Sequence, residues 1–312
     1  MTRAVWVIGS GLLGGAIRRT VIGRSDWKLV ELPSLPWADP GSLASVTLQN
    51  FDALRQGHSE WSIVWAAGVA SMSSSAEAIE RELDQFRVVM NTLERAILAS
   101  ETRGSLFFAS SVGAVYAGSA APPFTEETTI EPTSPYGSLK AAMEEVVRAF
   151  AAASSTPTLI GRITNLYGPG QSVEKLQGLI THLILARYGG RPTSIFVPLD
   201  TVRDYLYVDD CAHLVLDALL RLEAESAATV PVVTKILGSG EAVSISTLLG
   251  HLRFITKVSP AVALGIHESS SYQAPDLRVR SVVWPELDRR SRMPLAAGFH
   301  ATMLDVLRLL QR

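Results

Sequence analysis

The sequence predicts an α/β protein, a doubly wound parallel sheet with a smaller C-terminal substrate-binding lobe. Three observations carry that prediction. Apolar runs of strand length alternate with stretches of helical period, which is the signature of β-α-β units. The 312 residues, 47% hydrophobic and 19% charged, suffice to bury a large core and exclude a disulfide-stapled mini-protein or a disordered tail. A glycine-rich turn follows the first strand candidate and opens the first helix candidate.

Taken in order, the strand candidates are residues 4–8, 27–32, 62–66, 105–109, 158–163 and 232–237, each a short apolar or β-branched run. Helical period marks 12–21, 75–99, 135–153, 209–222, 245–256 and 301–310. One connection is too short for an ordinary doubly wound sheet. A second strand near Glu31 and a third near Trp37 would be joined by about four residues, whereas a parallel crossover needs a dozen or more, so one of them is expected to be absent or much shortened. Gly168-Pro169-Gly170 breaks regular structure and suggests an exit to a second lobe. The expected division is therefore 1–166 for the dinucleotide domain, with 207–237 returning to it, and 167–206 plus 238–312 for the smaller lobe.

Composition narrows the partners. With 28 Lys+Arg against 30 Asp+Glu the net charge is -2, which gives no field for gripping nucleic acid or anionic lipid. The single cysteine, Cys211, permits no intrachain disulfide and no multi-thiolate metal site; it reads as a small buried hydrophobe in a reducing cytoplasm. His182, His213, His251, His267 and His300 share no metal-ligand spacing, so no metal is expected. Arg3 and the apolar stretch after it superficially copy a secretory signal, but glycines 9, 11, 14 and 15 interrupt it. The uncharged run from Gly104 to Phe124 has the length of a membrane span, yet its Ser, Gly and Pro content denies it a self-satisfied helix.

Gly9-Ser10-Gly11-Leu12-Leu13-Gly14 sits between a strand and a helix, the context a dinucleotide fingerprint requires. Gly9 permits the tight turn, Gly11 lets backbone approach a pyrophosphate, Gly14 lets helix pack on strand, and the amides of Leu12 and Leu13 open the helix. The fold expectation sharpens to a Rossmann-type sheet. An acidic residue ending the second strand would accept the adenosine ribose hydroxyls; Glu31, seventeen residues after Gly14, is the candidate, and Asp39 competes because the shortened connection leaves the register open. No Arg or Lys lies between Glu31 and Leu54 to clamp a 2′-phosphate, which favours NAD and keeps NADP as the alternative.

Tyr136 and Lys140 lie four apart at the start of a predicted helix and share a face. A cation beside a phenol lowers the phenol's pKa, which would make Tyr136 a usable acid/base. Upstream, a strand ends in Ser110-Ser111, and hydroxyls at the carboxyl end of a parallel strand face the ligand crevice.

Several ordered blocks resemble the extended short-chain dehydrogenase/reductases, in particular the nucleotide-sugar epimerase/dehydratase group typified by UDP-galactose 4-epimerase. They are VIGSGLLG at 7–14, WAAG at 65–68, NTLERA at 91–96, ASSVGAVYAG at 109–118, SPYGSLKAAMEE at 134–145, GRITNLYGPG at 161–170 and VRDYLYVDD at 202–210. The resemblance implies Tyr136 as the proton-transfer tyrosine, Lys140 as a ligand of the nicotinamide ribose and Ser111 as a donor to the substrate oxygen. It places Ala66, Ala67 and Gly68 beside the cofactor, and Asn165 and Arg203 at a nucleotide diphosphate. For Asn165 the bland alternative is a loop cap, and for Arg203 an ion pair with Asp204. Departures are visible too. The glycine spacing is GxGxxG rather than GxxGxxG, the usual place of the catalytic hydroxyl holds Val112, which keeps Ser110 in play beside Ser111, and Val112-Gly113 stand where sugar dehydratases carry Asp-Glu.

The expectation is an NAD-dependent 4-epimerase of a nucleotide-linked sugar that passes through a 4-keto intermediate. The alternative is a ketoreductase acting on a keto-sugar or a small carbonyl compound. A catalytically idle dinucleotide-binding protein would need the glycine loop but not Tyr136, Lys140 and a nearby Ser. Neither nucleic acid nor membrane is expected as a partner, and a homodimer is left open.

Overall fold

The computed structural model describes residues 2–72, 74–173, 178–189, 192–225, 232–265 and 272–311. Its centre is a six-stranded sheet, all parallel, in the order β2-β1-β3-β4-β5-β9. The strands are β1 (Arg3–Ile8), β2 (Trp27–Leu29), β3 (Glu60–Trp65), β4 (Arg103–Ser111), β5 (Thr158–Ile163) and β9 (Val232–Leu237). Both faces are covered, which is why β1, β3, β4 and β5 read as nearly unbroken apolar runs. On one face α1 (Leu12–Ile22) and α7 (Val208–Glu225) bury Ile17, Leu214 and Leu219 against Val5 and Phe107. On the other, α2 (Pro40–Arg55), α3 (Ala76–Leu98) and α5 (Pro135–Ser154) bury Phe51, Phe86 and Met143 against Trp61 and Phe108.

The short connection resolves as a lost strand. β2 stops at Leu29, three residues short of the expected end, and residues 30–39 form no strand. Pro33 and Pro36 have no amide to give a ladder, so the chain runs on in extended form and enters α2 at Pro40. The helix over 40–55 was not expected from periodicity, and α9 (Leu295–Leu310) begins six residues before the expected 301.

The second lobe is built from much shorter pieces. β8 (Val202–Tyr207) pairs with β10 (Ala242–Ser244), β12 (Asp276–Leu277) and β6 (Asn165–Tyr167), while β7 (Thr193–Ile195) pairs with β11 (Val262–Leu264). Around them α6 (Leu179–Gly189), α8 (Ile245–Thr256) and α9 bury Leu183, Leu248 and Phe299 together with Tyr167.

Beyond β9 no further strand pairs with the sheet among the described residues; other groups lie along that side. The fully buried Lys235 donates to Ser281 Oγ at 2.8 Å, Val283 O at 2.7 Å and Asp288 Oδ2 at 2.8 Å. The Ile236 amide donates to Glu126 Oε1 at 2.8 Å. Cys211 is fully buried in α7, and burial pushes its thiol well above the ordinary range. The uncharged 104–124 run folds as the end of β4, a single helical turn α4 (Val112–Val115) and a loop. Among the described residues no helix is long and apolar enough to cross a membrane.

Candidate active site

At the carboxyl ends of the strands the glycine loop has the shape its spacing demanded. Gly9 has φ +110°, and a Cβ there would lie 2.6 Å from the Ala66 carbonyl carbon. A Cβ on Gly14 would lie 2.2 Å from Gly9 O, so helix and turn meet only because both are glycine. Gly11 differs: nothing lies within 4 Å of its Cβ position, and as the N-cap of α1 it offers no side chain to the first-turn amides of Leu12 and Leu13. An open approach to uncapped amides at a helix N-terminus fits a pyrophosphate. Leu12 and Leu13 themselves turn their side chains into the core.

The two acidic candidates separate. Asp39 caps α2, accepting from Gly41 N at 3.1 Å and from the Ser42 hydroxyl, with Pro40 in the first turn. It is engaged as a helix cap, which gives it a structural role apart from any ligand. Glu31 is exposed beyond β2, and Arg18 Nη1 donates to its Oε2 at 2.5 Å while Nη2 holds Val7 O at 2.7 Å. The basic residue beside Glu31 thus comes from upstream and not from the stretch between 31 and 54. Packing of α1 beside the sheet brings Arg18 there from the preceding helix.

After β3 the ladder continues for one residue, Ala66 N donating to Ile8 O at 2.8 Å, and Ala67 O accepts from Trp65 Nε1 at 3.0 Å. A Cβ on Gly68 would stand 3.1 Å from Glu82 Oε1 and 3.9 Å from Lys140 Nζ. The Ala66–Gly68 turn thus borders both the glycine loop and Lys140.

Strand alternation decides between the two serines. Ser110 is buried and donates to Glu144 Oε1 at 2.6 Å, in a network where Arg162 grips Glu144 with Nε and Nη2 at 3.0 and 2.7 Å and donates to Tyr116 through Nη1 at 2.5 Å. Ser110 is thereby taken out of the crevice. Ser111 faces the opposite way and lines it. Ser134 caps α5 through the Gly137 amide at 3.0 Å and Pro135 starts it, so Tyr136 and Lys140 fall on one face, one turn apart. Gly137 completes the arrangement: a Cβ there would lie 2.5 Å from Ala114 O, and this close approach seats Tyr136 against Ser111.

The electrostatics depart from the sequence expectation. Burial first, then the charge of Glu82, push the Tyr136 phenol up to about 12, and a hydrogen bond with Ser111 only partly offsets them. Lys140 is buried, with Nζ donating to Ala109 O at 3.3 Å and lying 5.9 Å from the Tyr136 ring centroid. Desolvation pulls its ammonium down while Glu82 and Glu144 hold it up. Spacing alone foresaw the shared face but not the desolvation, so the lowered phenol pKa is corrected.

Between the lobes lies a cavity of about 860 Å³ whose wall includes Ser111, Tyr136, Asn165 and Arg203. Asn165 Nδ2 donates to Asp204 O at 2.9 Å. Arg203 is buried, donates through Nη1 to Val202 O at 2.9 Å, and is pulled down by desolvation. It makes no ion pair with Asp204. That carboxylate accepts from Thr164, Ser239 and Gly240, the last through its amide at 2.7 Å, on the opposite face of β8. His182, on α6, also lines the cavity, with a buried Nε2 that has no hydrogen-bond partner among the described residues. Among those residues no cluster of three or more His, Cys, Asp or Glu could hold a metal; His267 lies outside the described residues.

Arg18, Glu82, Gly137 and His182 had escaped the sequence reading as site residues. Glu82 sits in a charged stretch of an amphipathic helix and Arg18 on a basic pair, where pattern gives no cue. Gly137, directly after Tyr136 in a predicted helix, was the readable signal, since glycine inside a helix marks a close approach.

The open end of the parallel sheet carries Ser111, Tyr136 and Lys140 together, behind a glycine turn at the first strand. A family model described as the NAD dependent epimerase/dehydratase family matches residues 6–232, and the chain belongs to that family, whose cofactor is NAD. The curated dTDP-glucose 4,6-dehydratase of Salmonella typhimurium is 40% identical over 92 residues, 30% of this chain and a quarter (25%) of that protein's length. The dTDP-glucose 4,6-dehydratase of Escherichia coli is 25% identical over 249 residues, covering 68% of this chain and 67% of its own. Among solved structures, the UDP-glucose 4-epimerase of Thermus thermophilus in complex with NAD superposes with a TM-score of 0.78 at 19% identity, covering 98% of this chain and 99% of that one, a likeness of fold.

Proposed function

We propose that the protein is an NAD-dependent epimerase of a nucleotide-linked sugar, working through a transient 4-keto intermediate. The observation that carries this is the placement of Ser111 and Tyr136 on one wall of the interlobe cavity and of a buried Arg203, free of any carboxylate hydrogen-bond partner among the described residues, on the same cavity. A guanidinium in that state suits a diphosphate, and Asn165 beside it adds a polar contact. Residues 167–206 and 238–312 then form the lobe that selects the substrate. The buried cysteine suits the cytoplasmic location expected from the sequence.

The cofactor fits the chain's own groups: uncapped amides of Leu12 and Leu13 at the pyrophosphate, Glu31 at the adenosine ribose, the Ala66–Gly68 turn and Lys140 at the nicotinamide side. When bound, NAD supplies a hydride acceptor and, in its oxidised form, a positive ring that opposes the upward push on the phenol. Tyr136 takes the proton of the sugar hydroxyl and returns it. Ser111 holds the oxygen through both half-reactions, and Lys140 keeps positive charge next to the phenol. Dehydration is disfavoured because Val112 is buried and Gly113 carries no side chain where an acid/base pair would act.

The test is incubation with NAD, and in parallel with NADH, of a panel of UDP-, dTDP- and GDP-sugars that includes keto-sugars, with products separated by chromatography. Interconversion of C4 epimers without net NADH is the expected result. Stoichiometric NADH consumption on a keto-sugar would replace the epimerase reading with the reductase one, and turnover of no nucleotide sugar would remove both.

A further inference from the structure

Glu82 of α3 is used by nothing described so far in the reaction. Its Oε2 accepts from the amides of Val69 and Ala70 at 2.9 and 2.8 Å, fastening the turn after β3 to the helix. Its Oε1 is buried and has no hydrogen-bond partner among the described residues. A Cβ on Gly68 would lie 3.1 Å from this oxygen and 3.9 Å from Lys140 Nζ, so carboxylate and ammonium both border Gly68 without bonding each other. The described contacts of Lys140 Nζ use a single proton, on Ala109 O, which leaves donors to spare.

A buried acceptor without a donor is costly, and a spare ammonium proton beside it needs an acceptor. A group that accepts from Lys140 and donates to Glu82 satisfies both, and that is the chemistry of a hydroxyl. The family's cofactor brings a ribose diol, and Lys140 is the residue matched to the nicotinamide ribose. We propose that Glu82 is a cofactor-binding residue, its Oε1 accepting a hydrogen bond from a hydroxyl of the nicotinamide ribose while Lys140 donates to the same diol. The residue has an electrostatic role as well. Glu82 from α3 and Glu144 from α5 are the acidic groups that sustain the charge of Lys140 against burial, and Glu82 also raises Tyr136.

This rests on the family's cofactor and not on the sugar proposed above, so it is tested without any sugar. Glu82→Gln keeps an oxygen for the Val69 and Ala70 amides and turns a donor toward the ribose. Calorimetric titration of NAD, and of NAD analogues lacking the 2′- or 3′-hydroxyl of the nicotinamide ribose, gives the readout. The wild-type protein is expected to bind one of the two analogues about tenfold more weakly than NAD, Glu82→Gln to bind NAD about tenfold more weakly, and the variant to lose the discrimination. Undiminished discrimination in Glu82→Gln, or NAD affinity equal to wild type, overturns the proposal and leaves Glu82 as a loop anchor or a water ligand. Should the variant fail to fold, the wild-type arm decides alone: equal affinity for NAD and both analogues, or no binding of NAD at all, overturns it.

Discussion

The two lobes solve the problem of holding a ligand in opposite ways. The first half uses five strands of six to nine residues, mostly buried, and one contiguous glycine segment, Gly9 to Gly14, that ends in the first turn of α1. Its glycine turn is shaped by backbone close approaches such as Gly14 on Gly9. The other half has three short strands on β8 and a separate pair of three-residue strands, and the cavity beside it is lined by side chains far apart in sequence, His182 and Arg203 from this half and Asn165 from its border. On the function proposed above, shape would bind the cofactor and placed side chains would select the substrate. Ser111, Tyr136 and Lys140 sit at the boundary, two of them on α5 and one at the end of β4.

That contrast can be broken at defined places. The largest effect is expected from Gly14→Val, whose branched side chain meets Gly9 O where even a Cβ would be at 2.2 Å: a loss of about 3 kcal/mol or more of stability in denaturant titration, with NAD binding abolished. A stable variant that still binds NAD would show the turn to be soft rather than shape-determined. Tyr136→Phe strikes the boundary and neither lobe, so kcat should fall roughly 10²-fold or more while the Kd for NAD stays within a few fold. Arg203→Ala strikes only the side-chain lobe. The KM for a nucleotide sugar should rise by the equivalent of about 1.5–3 kcal/mol with NAD affinity untouched, and an unchanged KM would remove the chief reason for a diphosphate substrate. The smallest effect belongs to Glu31→Ala. It frees Arg18 for a 2′-phosphate, so the preference for NAD over NADP should shrink by about tenfold in paired titrations. A preference that stays as it was would show that Arg18 does not reach the cofactor.

Much of the first lobe was legible because its signals are local. Ser134-Pro135 announced the start of α5, the glycine spacing announced the turn, and the short connection between Glu31 and Trp37 announced a missing strand. Asp39-Pro40 was missed as a helix start: a cap followed by a first-turn proline stood there, but Asp39 was weighed as a ribose ligand and not as a cap. The substrate lobe was opaque for a physical reason: a strand of two or three residues is shorter than the alternation needed to recognise it. Arg18 and Glu82 were opaque for another. Each is an ordinary helix charge until packing turns it toward Glu31 or toward Gly68 and Lys140.

The two margins of the parallel sheet carry a last consequence. One margin, β2, is three residues long and ends in a proline-interrupted segment; along the other, Lys235 and the Ile236 amide are engaged by Glu126 and by groups from Ser281 to Asp288. Open strand edges are templates on which further chains can polymerise, and here one is too short to guide a newcomer while the other has its Ile236 amide already taken by Glu126. Copies of the protein that meet in a crowded solution are therefore steered away from backbone-to-backbone growth, and whatever association they make is left to helix surfaces, where side chains set the terms.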